Sequence, residues 1–262
     1  MLKKRIIPKL LIKCEQIGLK KRPIVVTSKN FSSYRHVGDP ISQAKIFQDQ
    51  LADELLVINI DNKIISENQI IIETIKELSS KIFMPISIGG GIRKLSDFND
   101  LLKIGADKII INSLAIENPN FISQAAKNFG SQCVVVSVDF IKKDGKDLVY
   151  DNAKKKITNL EVIEWIKKIS ELGCGEIILC DIDRDGTGVG LNINLCKKAS
   201  QIVNIPIIIS GGCGLAEHFS EAFKKGLAEG VSAGTFFSYR DQNLLQTRHQ
   251  VLNSGVQLRT IK

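Results

Sequence analysis

Short apolar runs alternate with longer segments of helical spacing along the whole chain. The runs are rich in isoleucine and valine and too short for helices, which is typical of parallel strands buried on both faces. They predict eight strands: Arg5 to Ile12, Glu54 to Asp61, Pro85 to Ile88, Lys108 to Asn112, Cys133 to Phe140, the first half of Gly175 to Thr187, Pro206 to Ser210 and Val231 to Phe236. The segments between them predict eight helices: Pro40 to Leu51, Glu67 to Ser80, Leu95 to Ile104, Asn118 to Phe129, Asn159 to Leu172, Ile193 to Val203, Ala216 to Lys225 and one within Asn243 to Asn253. This count is that of a closed (β/α)8 TIM barrel, in a single domain over residues 1–262.

The barrel is expected to consist of two similar halves. Four pairs of landmarks lie 121 or 122 residues apart: Pro85 and Pro206, Gly91 and Gly212, Gly105 and Gly226, and Glu54 and Glu176. A constant offset between matched residues indicates an internal repeat, here of two (β/α)4 half-barrels. An open, doubly wound sheet would not require this symmetry.

Two segments do not fit the alternation of strand and helix. Lys13 to Asp39 is basic, polar and too long for an ordinary connection, so we expect a mobile active-site loop. Asp39 then caps the next helix, with Pro40 in its first turn. Lys142 to Lys156 is rich in lysine and predicts a small hairpin around Asp144-Gly145.

The composition is that of an ordinary globular protein, with 44% apolar and 24% charged residues. No apolar run approaches the length of about 18 residues that spans a bilayer, so no membrane association is expected. The net charge of +8 comes from lysine clusters without interleaved aromatic residues. Because nucleic-acid binding needs more than charge, attraction of a phosphorylated small-molecule substrate fits better.

Six cysteines and three histidines show neither C-x-x-C pairs nor metal-ligand spacing. We interpret the cysteines as free thiols in a reducing cytoplasm, and we expect no metal site and no cofactor.

Each half of the chain contains a glycine-rich turn after one strand and a small polar end on the next strand. Glycines let backbone N–H groups approach an anion, and the helix N-terminus that follows favours negative charge. Two such turns on opposite sides of one mouth could bind a ligand with a phosphate at each end. The residues concerned are Gly90, Gly91, Asn112, Ser113, Gly211, Gly212, Gly234 and Thr235.

Asp139 ends the fifth predicted strand and, by the period of two, faces into the mouth with Ser137. It is the candidate catalytic acid or base. An ordinary strand-end acid that caps the next loop is the alternative. Lys9 faces inward on the first strand, and we expect it to lie close to Asp139 and compete for its charge.

Four charged residues begin the first, second, fourth and sixth strands: Arg5, Glu54, Lys108 and Glu176. All should point into the barrel at its amino end, where two cations and two anions form a neutral ring. A purely structural plug explains such a ring adequately.

Eight short motifs occur in the order typical of one family, and together they are highly specific. They are Lys4 to Pro8, Gly38 to Pro40, Ser87 to Arg93, Gly105 to Lys108, Gly130 to Gln132, Gly175 to Ile177, Asp183 to Thr187 and Ser210 to Gly212. On these motifs the whole chain resembles the cyclase subunit of imidazole glycerol phosphate synthase, the histidine-pathway barrel that forms a heterodimer with a glutaminase.

The resemblance implies that ammonia from the glutaminase enters at the amino ends of the strands and crosses the barrel. It implies a gate formed by Arg5, Glu54, Lys108 and Glu176, and a partner interface near Asp107. The residues that it implies around a bisphosphate ligand are Gly91, Asn112, Asp185, Gly186, Gly212, Gly234 and Thr235.

The chain departs from the family's pattern at the mouth. The family has a catalytic aspartate on the first strand, where this chain has Leu11, which can neither donate nor accept a proton. Loss of one proton-transfer group costs on the order of 10²–10⁴ in rate, which argues against efficient ring closure. Lys9 replaces a small uncharged residue, and Asn59 stands where the second strand has an aspartate.

A subgroup with leucine at this place resembles the chain further. That resemblance implies an alternative role, in which the barrel has little cyclase activity and passes ammonia to a sugar amidotransferase that makes acetamidino sugars for surface polysaccharide (lipopolysaccharide) synthesis. The sequence leaves both roles open, and both include a glutaminase partner.

Overall fold

The protein is described here by a computed structural model that covers residues 3–61, 63–238 and 243–259. The strands are β1 (Arg5–Ile17), β2 (Lys20–Lys29), β3 (Ser32–Gly38), β4 (Leu55–Asn59), β5 (Ile86–Gly89), β6 (Lys108–Ile111), β7 (Val134–Lys143), β8 (Lys146–Asp151), β9 (Lys156–Glu161), β10 (Glu176–Asp181), β11 (Ile207–Ser210) and β12 (Gly230–Ala233). The α-helices are α1 (Pro40–Asp49), α2 (Gln69–Lys81), α3 (Leu95–Lys103), α4 (Ser113–Glu117), α5 (Asn120–Phe129), α6 (Val162–Glu171), α7 (Ile193–Ile202), α8 (Ala216–Lys224) and α9 (Leu244–Asn253).

Eight of these strands form a closed parallel barrel, which confirms the predicted (β/α)8 fold. They pair in the order β1, β4, β5, β6, β7, β10, β11 and β12, and β12 pairs with β1 to close the ring. Strand β11 shows why such strands form, since all four of its residues are buried and three are isoleucines. A strand covered on both faces gains from apolar side chains on both sides.

The apolar side chains divide into an outer and an inner set. The larger set packs between the barrel wall and the surrounding helices. The smaller set fills the barrel itself, and we call it the apolar layer: Ile7, Leu56, Ile110, Val135, Ile178 and Ile208. Each of these six is at most 4% exposed, and burial of one such side chain stabilises the fold by roughly 1.5–3 kcal/mol.

Polar caps fix the starts of several helices. Asp39 accepts a hydrogen bond from the Ser42 backbone N–H at 2.8 Å, and Pro40 follows it in the first turn of α1, as predicted. Asn192 and Asn243 cap α7 and α9 in the same way. Such caps satisfy N–H groups that have no partner within the helix.

The segment from Lys13 to Asp39, predicted as a mobile active-site loop, consists mainly of strands. Strand β1 continues past the barrel to Ile17, turns at Gly18 and Leu19, and pairs antiparallel with β2, which pairs with β3. We call residues 13–38 the first extension. The unbroken apolar run Ile24-Val25-Val26, buried in β2, is the sequence signal for a strand within this segment.

The hairpin predicted around Asp144-Gly145 is confirmed, and it is part of a larger unit. Strand β7 continues beyond the barrel and pairs with β8, which pairs with β9. We call residues 141–161 the second extension. The predicted helix over Asn159 to Leu172 therefore begins late, at Val162, because residues 159–161 belong to β9.

Two further boundaries differ from the predictions. A short helix, α4, precedes α5 and was missed because its five residues are too few for a periodic pattern. The eighth barrel strand ends at Ala233, and Thr235–Ser238 form a 3-10 helix instead of continuing to Phe236.

Matched contacts in the two halves agree with the predicted repeat. The carbonyl oxygen of Gly91 accepts a hydrogen bond from Ile65, and that of Gly212 accepts one from Gly190, both at 2.8 Å. At the start of α3 the Asp97 side chain accepts from backbone N–H groups, as His218 does at the start of α8.

Gly90→Ala should destabilise the fold far more than Gly145→Ala. Both glycines have positive φ (96° and 79°), which costs an alanine about 1–2 kcal/mol. A Cβ at Gly90 would lie 1.9 Å from the Asn59 carbonyl oxygen, whereas one at Gly145 would meet nothing within 4 Å. Urea unfolding should show a loss of about 3 kcal/mol or more for Gly90→Ala and about 1 kcal/mol for Gly145→Ala. Equal losses would contradict the packing described here.

Candidate active site at the carboxyl end of the barrel

Asp139 lies at the mouth, at the carboxyl end of the barrel strands, and is 7% exposed. Three side chains donate hydrogen bonds to its carboxylate: Ser137 at 2.8 Å, Asn112 at 2.9 Å, and Asn152. Asn112 comes from the end of β6 and Asn152 from the second extension. The carboxyl group is therefore held in one orientation by three separate segments.

Burial raises the pKa of Asp139 to about 6. The hydrogen bond from Ser137, the charge of Lys9 and the hydrogen bond from Asn152 act in the opposite direction and limit the rise. An acid whose pKa lies near neutrality can both give and take a proton under physiological conditions.

Lys9 projects into the mouth from β1, and its side chain is 11% exposed. Its Nζ donates to the Ser210 hydroxyl at 3.2 Å and lies 3.5 Å from a carboxylate oxygen of Asp185. Burial alone would lower the pKa of Lys9, but the Cys180 sulfur and the carboxylates of Asp185 and Asp139 raise it. The predicted influence on Asp139 is present as a charge interaction, whereas the ion pair itself forms with Asp185.

The first extension lies across the mouth and holds Asp185 in place. Ser28 donates from its hydroxyl to the other Asp185 carboxylate oxygen at 2.8 Å. Asn30 donates from its side chain to the carbonyl oxygens of Ile182 and Asp183. A Cβ at Gly186 would lie 1.9 Å from the Ser28 carbonyl oxygen, so this contact needs glycine.

Six of the predicted ligand-binding residues line one pocket: Asp185, Gly186, Gly211, Gly212, Gly234 and Thr235. Lys9, Ser210 and Ser232 line it too. The pocket lies between β10, β11 and β12, in the second half of the chain.

The predicted residues of the first half lie outside that pocket. Asn112 contacts Asp139, and Ser113 accepts a hydrogen bond from the Ala153 backbone N–H at 3.0 Å. Gly90 and Gly91 have positive φ and pack against the backbone that follows β4. These two glycines are required by close packing, whether or not an anion binds there.

Leu11 lies two residues beyond Lys9 on the same face of β1, opposite Ile58 of β4 and Val26 of β2. It is half-buried. An apolar side chain therefore occupies this position at the mouth.

At the opposite, amino end, the four predicted charged residues meet, and we call them the charged floor: Arg5, Glu54, Lys108 and Glu176. Arg5 binds Glu54 at 2.9 Å and also binds Glu176, while Lys108 lies 2.9 Å and 2.8 Å from the same two carboxylates. Burial alone would raise the pKa of Glu54, but the charges of Lys108 and Arg5 outweigh it and lower that pKa. Each charge thus has two opposite neighbours.

Asp107, the predicted interface residue, is exposed at the same amino end. Its carboxylate accepts a hydrogen bond from the Ile86 backbone N–H at 2.8 Å. This contact gives Asp107 a structural role at the start of β5.

The positive charge of the chain is concentrated beside the mouth. Residues 13–38 contain six lysines and arginines and one acid, and residues 141–156 contain six lysines and three acids. These two segments carry net charges of +5 and +3. Together they account for the chain's net charge of +8, so the remaining residues have no net charge. Because β1 and β7 lie on opposite sides of the barrel, cations flank the mouth from both sides.

Several site residues were missed at the sequence level. Ser210 and Ser232 face inward on β11 and β12, and the alternation along these strands could have identified them. Ser28 and Asn152 reach the site from the extensions, and no local pattern indicates that.

Among the described residues, no group of three histidine, cysteine or acidic side chains could hold a metal ion. All six cysteines are free thiols, and five of them are buried. In the same part of the chain, no helix is both long enough and apolar enough to cross a membrane.

The fold and this site define a (β/α)8-barrel protein with a glycine-lined polar mouth and a charged floor. Residues 10–243 match the model of the family described as "Histidine biosynthesis protein". The chain is 41% identical over 260 residues to the "Putative imidazole glycerol phosphate synthase subunit hisF2" of Prochlorococcus marinus (strain MIT 9313), covering 99% of both chains. It is 38% identical to the "Imidazole glycerol phosphate synthase subunit HisF" of Clostridium botulinum (strain Langeland / NCTC 10281 / Type F), covering 99% of this chain and 100% of that one.

The chain therefore belongs to the imidazole glycerol phosphate synthase subunit HisF family.

Asp139 should titrate near pH 6 in the folded protein, compared with about 3.9 in an unfolded chain. Between these values the folded state retains a proton that the unfolded state has lost, so this group lowers stability as pH rises through that window. Carbon-13 NMR of the carboxyl group should show the midpoint directly, and Asp139→Asn should remove this part of the pH dependence of urea unfolding. A midpoint near 4 would contradict the burial described here.

Proposed function

We propose that this chain acts as the cyclase-type subunit of a glutamine-dependent complex. In this role it receives ammonia from a glutaminase at the charged floor and uses it at the mouth on a phosphorylated substrate. One observation carries the proposal. Along the barrel axis, the charged floor is followed by the apolar layer and then by the polar mouth.

The three levels suit the passage of neutral ammonia. The floor is held by ion pairs that could part and re-form, and the apolar layer above it disfavours an ion, because burial of an unpaired charge is costly. Ammonium would therefore have to lose its proton before crossing.

The mouth suits chemistry on an anion. The basic extensions attract negative charge, and the glycine turns with Thr235 could hold phosphate groups. Asp139 is the candidate acid or base, since its raised pKa fits proton transfer near neutrality. Asp107 and the floor lie at the same end, where a glutaminase would dock to form a heterodimer.

Leu11 favours a second candidate function. Ring closure would lack a second proton-transfer group at this position, whereas ammonia passage needs only the floor, the apolar layer and a docking face. In this alternative the chain has little cyclase activity and delivers ammonia to a sugar amidotransferase in acetamidino-sugar biosynthesis. Both candidates share the glutaminase partner.

Leu11→Asp should raise cyclisation of the histidine-pathway intermediate with ammonium salt. A restored proton-transfer group is worth on the order of 10²–10⁴ in rate, so the variant should exceed the wild type at least tenfold. Leu11→Asn is the matched control, because it is polar and of similar size but transfers no proton.

Activity that appears only in Leu11→Asp would favour the ammonia-delivery role. Wild-type turnover equal to that of an ordinary cyclase would eliminate that role. Failure of the wild-type chain to form a complex with any glutaminase subunit, tested by size-exclusion chromatography, would contradict both candidates.

A further inference from the structure

The turn between β8 and β9, residues 152–155, reaches from the second extension to the barrel mouth. Asn152 donates a hydrogen bond from its side chain to Asp139 of β7, and the Ala153 backbone N–H donates to the Ser113 hydroxyl at 3.0 Å. Ser113 begins α4, which follows β6 in the chain. Two adjacent residues therefore attach this turn to the mouth beside two neighbouring barrel strands, β6 and β7.

Asp151 fixes the shape of this turn. One oxygen of its carboxylate accepts hydrogen bonds from the backbone N–H groups of Ala153 at 3.0 Å and Lys154 at 3.2 Å. The Asp151 side chain is buried, whereas residues 153–156 are exposed. The conformation of the turn thus decides where the amide of Asn152 lies.

Asn152 differs from the other two donors to Asp139 in its origin. Ser137 lies on the same strand as Asp139, and Asn112 follows the neighbouring strand β6 and also donates to the Ser137 carbonyl oxygen at 3.0 Å. These two donors belong to the barrel wall, whereas Asn152 belongs to the second extension. A displacement of the turn would therefore remove one donor from Asp139 and leave the other two in place.

A donor to a carboxylate favours its charged form, so the loss of that donor favours the protonated form. The ionisable groups that act on Asp139 from the barrel belong to three other segments: Lys9 of β1, Cys180 of β10 and Asp185 after β10. All three lie outside the second extension. A displacement of the turn therefore changes the Asn152 contact without moving these charges.

We propose that Asn152 is a positioning residue, through which the second extension controls whether Asp139 carries a proton. When the turn is docked, the amide favours the carboxylate, which can accept a proton. When the turn is displaced, the protonated acid is favoured, which can donate one. The inference rests on the proposed function only in that Asp139 acts as the acid or base. It does not depend on the substrate, on ammonia passage or on a glutaminase.

Carbon-13 NMR of the Asp139 carboxyl group in the full chain tests the role of Asn152, because it follows the titration without a substrate. Asn152→Leu keeps the size of the side chain and removes the donor, so the Asp139 midpoint should rise from about 6 to about 7. Asn152→Gln retains an amide donor and should return the midpoint towards 6. Asn192→Ala is the matched control, since Asn192 donates to another acid, Asp181, at 2.9 Å. It should leave the Asp139 midpoint within about 0.3 of the wild-type value.

Asp151→Ala tests the control by the turn. Removal of the Asp151 charge would by itself lower the pKa of a nearby acid. Loss of the shape of the turn should instead raise the Asp139 midpoint by about 0.5 or more, because the Asn152 amide is no longer held in place. The direction of the change thus separates the two effects.

An Asp139 midpoint in Asn152→Leu within about 0.3 of the wild-type value would overturn the role of Asn152. An equal rise in Asn192→Ala, or a midpoint in Asn152→Gln as high as that in Asn152→Leu, would overturn it too. A midpoint that falls or stays unchanged in Asp151→Ala would overturn the control by the turn. If Asn152→Leu does not fold, Asn152→Ala takes its place with the same expected rise.

The two proposals can fail separately. A chain whose Asp139 responds as expected, but which forms no complex with a glutaminase and closes no ring, would contradict the proposed function and leave this inference standing. A chain that is active with a glutaminase, but whose Asp139 midpoint does not respond to Asn152→Leu, would contradict this inference alone.

Discussion

The organisation of this barrel depends on the need to pair every charge that its interior contains. At the floor, two cations and two carboxylates lie within contact of one another, so none stands alone in a poorly hydrated space. Arg5 and Lys108 each contact both carboxylates, so the four side chains form one network. Above it, the apolar layer separates the floor from the mouth and prevents the two charged regions from merging into one solvated channel.

Buried charges also lie close together at the mouth, where two carboxylates face one ammonium group. Asp139 and Asp185 carry negative charge, and Lys9 offsets part of it from the centre of the pocket. On one face of β1, the mouth contains the ammonium group of Lys9 and, two residues further on, the apolar side chain of Leu11. Lys9 makes the mouth more positive, and burial raises the pKa of Asp139 to about 6, close to the range that suits proton transfer. The ammonium group of Lys9 therefore favours an anionic ligand at this mouth.

The barrel and much of the site could be predicted from the sequence, because both follow from local patterns. Three consecutive isoleucines indicate that strand β11 is buried. The alternation of side chains along a strand places Arg5, Lys9 and Asp139 in the barrel interior. The length of the segment between Lys13 and Asp39 did not identify the first extension as strands. Ser28 contacts Asp185 only because this extension folds across the mouth, which no local sequence pattern indicates. Asn152 likewise reaches Asp139 from the second extension, a contact that depends on how that extension folds back over the barrel.

Isotope competition would show whether ammonia reaches the mouth through the barrel, as we propose. The complex with a glutaminase would be given amide-15N-glutamine, a large excess of unlabelled ammonium and the histidine-pathway intermediate, using the wild-type chain and Leu11→Asp. Mass spectrometry of the product would then report the source of its nitrogen. If ammonia passes inside the barrel, the product should keep the 15N label despite the excess of free ammonium. A label diluted in proportion to the bulk ammonium would contradict it.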